Sequence, residues 1–323
     1  MSRGSVSADD VRVRTYAAAA GALGAIALWG SEMFFWSAPQ EPVNVISVGM
    51  TWFVYALCSA AALSLVLVTG IQGWRAMFLG GAVMGWLIEG VVVATAYDAF
   101  PFQVVWTPLA WHGLVTGLVV LGLGRPEGRW PAWRRALTWG VVGVAGGLWA
   151  SWWPLERGGM PGLATTVPYL VGLGLLVPLG HVALDRLVRV PVPSRRVLLV
   201  APVLLLVGWL VRVVLAPSPL YLVLPMVLGL TAWVMRRWGD GPIGLELSGV
   251  GVSGGLRAHA WFLLAPVGCA LVASLLWWAA PEGLPANIVV ALGTVAISLW
   301  LFGRLVLGGL RRERVEATAV TPM

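Results

Sequence analysis

Two ionisable side chains stand inside long apolar runs on either side of one short turn. Glu89 closes the run GAVMGWLIEG and His112 sits in PLAWHGLVT, with the turn at Asp98 to Gln103 between them. Glu89 lies nine residues before Asp98 and His112 nine after Gln103. At about 1.5 Å of rise per helical residue, both lie roughly 13 Å in from the same end. A short turn makes the two runs antiparallel neighbours, so an acid and an imidazole are expected in one layer, near enough to share a proton. Such a pair can carry a proton in a transporter or exchange one in acid–base catalysis. Charged groups at membrane depth are costly and mark functional positions.

Three more groups belong to the candidate set. Glu32 stands in ALWGSEMFFW near the end of the first apolar run. Asp98 caps the end of the third run and would orient the pair in an enzyme. Arg212 lies near the end of the seventh. All five candidates fall toward one leaflet. His181 and His259 fall toward the other, which argues against a three-histidine metal site with His112. Cys58 and Cys269 each lie inside an apolar run with no metal-ligand spacing and no disulfide framework. No phosphate-binding glycine loop, nucleophile elbow or HExxH occurs. The single histidine of that layer does not suit a haem. No cofactor and no metal are expected.

The elements that must hold these groups are membrane helices. The 323 residues are 59% hydrophobic and 11% charged, with a mean hydropathy of +0.86. A soluble domain carries about 25% charged residues. Ten apolar segments approach the length needed to cross a hydrocarbon core of about 30 Å. They run roughly over 15–38, 44–71, 76–97, 104–123, 136–154, 164–184, 197–216, 219–235, 258–280 and 286–308. The expected fold is therefore all-α: a polytopic membrane helix bundle of about ten transmembrane helices without a soluble domain. Residues 1–14 form an N-terminal tail, 15–308 a single transmembrane domain, and 309–323 a C-terminal tail. The first run is read as a retained helix, since no small-residue cleavage site follows it.

All 21 basic residues are arginine. They cluster before segment one and in every second connection, as at Arg75, Arg134 and Arg196. The alternate connections are short and rich in proline, and only Arg157 interrupts them. This is the positive-inside pattern for ten spans with both termini in the cytoplasm, in a bacterial inner membrane. The net charge of +7 is thereby explained without nucleic acid. Residues 236–257 form the longest connection and read as a flexible loop, with a re-entrant segment as the alternative.

Small residues predict which faces touch. Gly81, Gly85 and Glu89 follow at steps of four and share a helix face. Gly113 with Gly117, and Gly143 with Gly147, have the spacing of close helix contacts. Pro168 and Pro178 should bend segment six. Trp36, Trp106, Trp152, Trp153, Trp277 and Trp278 are expected as interfacial anchors.

Three short stretches resemble known families. SEMFFW resembles a stretch of cytochrome oxidase subunit III that carries an intramembrane glutamate. ALWGS, with ten helices, looks like the drug/metabolite transporter superfamily. The order of acid, PF and PLAW from Glu89 to Trp111 is similar to membrane carotenoid hydratases. Each likeness ends within one helix or one hairpin.

The leading functional reading is a proton-linked transporter of a small or amphipathic molecule. Its binding layer would be lined by Glu32, Glu89, His112 and tryptophans, and Glu89 would be the proton-linked group. The competing reading is an intramembrane enzyme acting on a lipid or isoprenoid through Glu89 and His112. A third is a non-catalytic subunit of a membrane complex. Expected partners are membrane lipids, the substrate, and a second copy or complex partner.

Overall fold

The computed structural model describes residues 7–125, 130–246 and 255–319, with side chains to residue 312. Ten long helices follow in order. They are α1 (Ala8–Trp36), α2 (Val45–Thr69), α3 (Gly73–Val92), α4 (Phe102–Leu123), α5 (Ala132–Ala150), α6 (Leu163–Leu187), α7 (Arg195–Leu215), α8 (Pro219–Trp238), α9 (Gly255–Ala279) and α10 (Ala286–Ala319). Among the described residues nine are long and apolar enough to cross a membrane. The exception is α5, whose first turn holds Arg134 and Arg135. The chain is an all-helical, multi-pass membrane protein.

The helix ends have local causes. Ser7 caps α1 and exchanges hydrogen bonds with Asp10, and Asn44 does the same with Ser47 at α2. These bonds satisfy amide groups that a helix start leaves without partners. Gly70 ends α2 in a left-handed conformation at φ 71°, which glycine adopts without steric cost.

Burial divides the helices into centre and edge. In α3, 72% of the best membrane window is buried; in α7 and α10 the shares are 17% and 11%. Val200, Leu204 and Val214 of α7 stand exposed, an apolar surface suited to lipid rather than water. α1 to α4 form the centre. α3 and α4 meet through the predicted glycine faces. A β-carbon at Gly85 would lie 2.6 Å from His112 Cβ, and one at Gly81 would lie 2.7 Å from the His112 carbonyl oxygen. Gly143 packs likewise against Ala265 and Gly268 of α9.

α6 is interrupted as expected near Pro168. A π-helical turn spans Pro168–Gly172, and regular helix resumes at Leu176. The opening turns of the 236–257 connection are not a free loop. Gly241 and Ile243 donate backbone bonds to Thr69 and Leu67 at the end of α2. Two short antiparallel strands follow, β1 (Arg189–Val190) and β2 (Leu245–Glu246). Arg189 meets Glu246 across them at 3.0 Å. The flexible-loop and re-entrant readings cover 236–257 as a whole, of which 247–254 lie outside the described residues. We call this end of the bundle the arginine end, and the other, with the proline-rich turns, the proline end.

Candidate functional site

The polar layer lies toward the proline end of α1, α3 and α4. Each helix departs from α-geometry there: π-helical turns cover Leu28–Met33, Ile88–Val92 and Trp106–Leu123. Ser31, Glu32, Glu89 and His112 all stand on these stretches. π turns shift side chains out of the 3.6-residue register and recur at functional sites. Pro108 belongs to the α4 stretch, where it supplies no backbone donor.

The pair expected from the turn meets. His112 Nε2 lies 3.1 Å from Glu89 Oε1, with both residues buried. On its other side, His112 Nδ1 lies 2.8 Å from Ser31 Oγ, and Ser31 Oγ lies 2.9 Å from Thr116 Oγ1. The Thr95 hydroxyl donates to the second oxygen of Glu89. It can do so because Ala94 turns the chain back at φ 68°. A non-glycine residue there carries strain of order 1 kcal/mol or more, at the residue that closes the chain of bonds.

This chain of hydrogen bonds can be written in two directions. With Glu89 ionised, Nε2–H donates to it, Nδ1 accepts from Ser31, and Ser31 accepts from Thr116. With Glu89 protonated, Glu89 donates to Nε2, Nδ1–H donates to Ser31, and Ser31 donates to Thr116. Hydroxyls and imidazole serve both ways. Passing from the first to the second adds one proton, held on Glu89, and otherwise needs only hydroxyl rotation and a change of imidazole tautomer.

A cavity of about 560 Å³ opens beside the pair. Its wall includes Ser31, Glu32, Tyr55, Glu89, Thr95 and His112. Glu32 accepts from Trp36 Nε1 at 3.1 Å and from the Tyr55 hydroxyl at 3.1 Å. Much of the remaining wall is aromatic. Trp106, Trp111, Trp149 and Trp153 are buried and pack against one another or against Phe35. Three polar atoms of the wall, Gln103 Oε1, Thr107 Oγ1 and Trp152 Nε1, are buried without a partner among the described residues.

A second cavity of about 280 Å³ lies toward the arginine end between α1, α2, α3 and α4. Its wall is mostly apolar, as at Ala62, Leu63 and Met84, but it also contains Ser59, Thr116, Arg125 and Glu246. The hydrogen-bonded chain therefore begins in one cavity wall and ends in the other.

No family model, curated protein or solved structure matches this chain. The site must be read from its own geometry.

Of the five candidates, the fold gathers Glu32, Glu89 and His112 around one cavity and leaves two outside. Asp98 is exposed at the turn and is absent from the cavity wall. Arg212 ends on the Val91 and Val92 carbonyls, at 3.3 and 3.1 Å. There it satisfies acceptors that the end of α3 leaves open, where a cation also suits the helix dipole.

The tryptophans differ from expectation. Trp106, Trp153 and Trp277 are buried, and Trp278 is 81% exposed. Trp277 Nε1 donates to the Ala150 carbonyl at 2.9 Å. Trp36 and Trp153 stack in the aromatic wall and carry the Arg157 guanidinium at 5.3 and 4.7 Å. Burial lowers the Arg157 pKa from its usual value, opposed by Tyr169 and Glu156. Tryptophan near a helix end reads as an anchor in sequence; Trp278 is placed as one, but the rings of Trp106, Trp153 and Trp277 turn inward.

One group had no signal in the apolar pattern. At the arginine end, Arg125 Nη1 lies 2.7 Å from Asp185 Oδ1. Asp185 Oδ2 also lies 2.7 Å from His259 Nε2. The rings of His181 and His259 stack at 5.0 Å. The i, i+4 spacing of His181 and Asp185 puts them on one helix face, but their partners come from α9 and the end of α4. Among the described residues no three His, Cys, Asp or Glu side chains gather as metal ligands.

Proposed function

We propose that the protein is a proton-linked transporter of a small amphipathic molecule, with Glu89 and His112 as the proton-carrying pair. The carrying observation is the chain Thr95–Glu89–His112–Ser31–Thr116, which joins cavities toward opposite ends of the bundle. An intramembrane enzyme would use the same acid–base pair but has no need of a polar chain leading out of its pocket. A packing-only layer would leave no cavity beside it. The larger cavity serves as the binding chamber, and its volume falls within the usual range of small-molecule sites, about 300–1,000 Å³.

A chain that reaches both cavities lets some protons cross without substrate. The purified protein in liposomes, with a pH-sensitive dye inside and an imposed inside-negative potential, is expected to admit protons faster than empty liposomes. Glu89→Gln is expected to return the rate to that of empty liposomes. Equal rates for wild type and the variant would sink the reading.

The same reading places the protein in the cell membrane with both termini cytoplasmic and the larger cavity toward the outside. The alternation of arginine-rich and arginine-poor connections supports this. Cys58 and Cys269 are buried, so background labelling of native thiols should be low. Cysteines introduced at Ser218 and Glu282 are expected to react with an impermeant thiol reagent in whole cells, and one at Asp240 is not. The reverse pattern would invert the orientation.

A further inference from the structure

We infer that the larger cavity binds an organic cation, a protonated amine or quaternary ammonium carried on an apolar body. This rests on the transport reading for its direction of use, but the recognition chemistry stands on the cavity wall. Glu32, Glu89 and Glu156 line it, and His112 is its one basic lining residue. The wall thus holds three acidic side chains against one imidazole. Among the described residues no arginine is part of the chamber wall: Arg212 ends on α3 carbonyls outside it, and the Arg157 guanidinium lies against the wall's Trp36 and Trp153 rings. Carboxylates alone would not make a site. The unpartnered polar atoms are a second and separate observation. Thr107 is 7% exposed, and its hydroxyl and the Gln103 carbonyl oxygen belong to residues of the chamber wall and are buried with no partner among the described residues. Both can accept from an ammonium N–H, and leaving them unmet when buried is costly.

The aromatic wall points the same way. Indole rings attract cations to their faces, and most strongly where water is excluded. Trp36 and Trp153 already hold the Arg157 guanidinium within 5.3 Å of their ring centres. Trp106, Trp111 and Trp149 offer the same chemistry along the wall. An apolar body suits these rings, and the cationic centre suits the carboxylates. An anion would meet three carboxylates and gain only His112.

Recognition of this kind links cation and proton. A proton taken up by the Glu89–His112 pair removes one negative charge from the wall. The other titratable groups of the chamber wall are Glu32 on α1, Tyr55 on α2 and Glu156 on the turn after α5, with the Arg157 guanidinium against the Trp36 and Trp153 rings and Arg212 outside the wall on the end of α3. None of them supplies a replacement negative charge when the pair is protonated. Cation and proton then compete, and exchange of one for the other follows.

The test is direct binding to the purified full-length protein, read by calorimetry. The probes are benzyltrimethylammonium and tetraphenylphosphonium, with benzenesulfonate and tetraphenylborate as anions of matched shape. At least one cation is expected to bind at pH 8, several-fold more weakly at pH 5.5, and neither anion is expected to bind comparably. Glu32→Gln is expected to weaken cation binding several-fold while the protein stays monodisperse. Absence of binding by both cations, or equal binding by the anions, overturns the inference even if Glu89-dependent proton entry is observed. Cation binding without Glu89-dependent proton entry keeps this site and removes the transport reading.

Discussion

The two ends of the bundle each bury an acid against an imidazole, and they differ in what else touches the acid. At the arginine end Asp185 lies between Arg125 and His259, at 2.7 Å from each. Arginine keeps its charge at any pH a cell meets, so this acid has a permanent counter-ion. The three residues come from the end of α4, from α6 and from α9, and they tie those elements together. At the proline end Glu89 has His112 and Thr95, neither of which is a fixed charge. A cavity stands beside it. An acid beside an imidazole thus makes a fastening in one place and, on the reading proposed above, an exchanger in the other. The guanidinium decides which.

The largest effect should come from breaking the fastening. Arg125→Ala leaves a part-buried carboxylate short of its cation, the loss of a charged hydrogen bond worth about 1.5–3 kcal/mol. Thermal unfolding followed by size-exclusion chromatography should show a marked loss of stability. Glu89→Gln, which keeps an acceptor for Thr95, should change stability by about 1 kcal/mol or less. Similar losses in both variants would erase the distinction between the two ends.

Next in size is the glycine seam that brings the exchanger together. Gly85→Leu adds a side chain where a single β-carbon already falls 2.6–2.8 Å from His112 and Pro108. Overpacking of this kind costs about 1–3 kcal/mol, and the variant should also lose Glu89-dependent proton entry. Val92 is 37% exposed, so Val92→Leu should stay within about 0.5 kcal/mol of wild type. Equal behaviour would mean that the α3–α4 contact is not what positions the pair.

The smallest expected effect is at the far end of the chain. Thr116→Val keeps the side-chain shape and removes one hydrogen bond, worth about 1 kcal/mol. Its signature should be kinetic, a several-fold slower proton entry with cation binding unchanged. If the rate stays at the wild-type value, protons leave the pair by a route other than Ser31 and Thr116.

Much of this protein is legible in its sequence because a membrane imposes a simple rule. Backbone groups in hydrocarbon must bond within the segment, so long apolar runs become helices. The Glu89–His112 contact was legible for a related reason, since a short turn and equal counts of residues set the depth of both groups. Glycines at four-residue steps identified the faces that meet. Tertiary structure alone decided the rest. Ser31, Thr95 and Thr116 are neutral and, being hydrogen-bonded, cost little to bury, so nothing in the apolar pattern marks them. π-helical turns change the register by which faces are read, and they place Ser31 on the chain to His112. Arg212 and Asp98 share the leaflet of the pair, but side-chain direction takes them away from it. The tryptophans look alike in sequence whether they turn toward lipid or toward a chamber. Depth follows from counting along one chain, whereas rotation and partnership depend on neighbours that come from other segments.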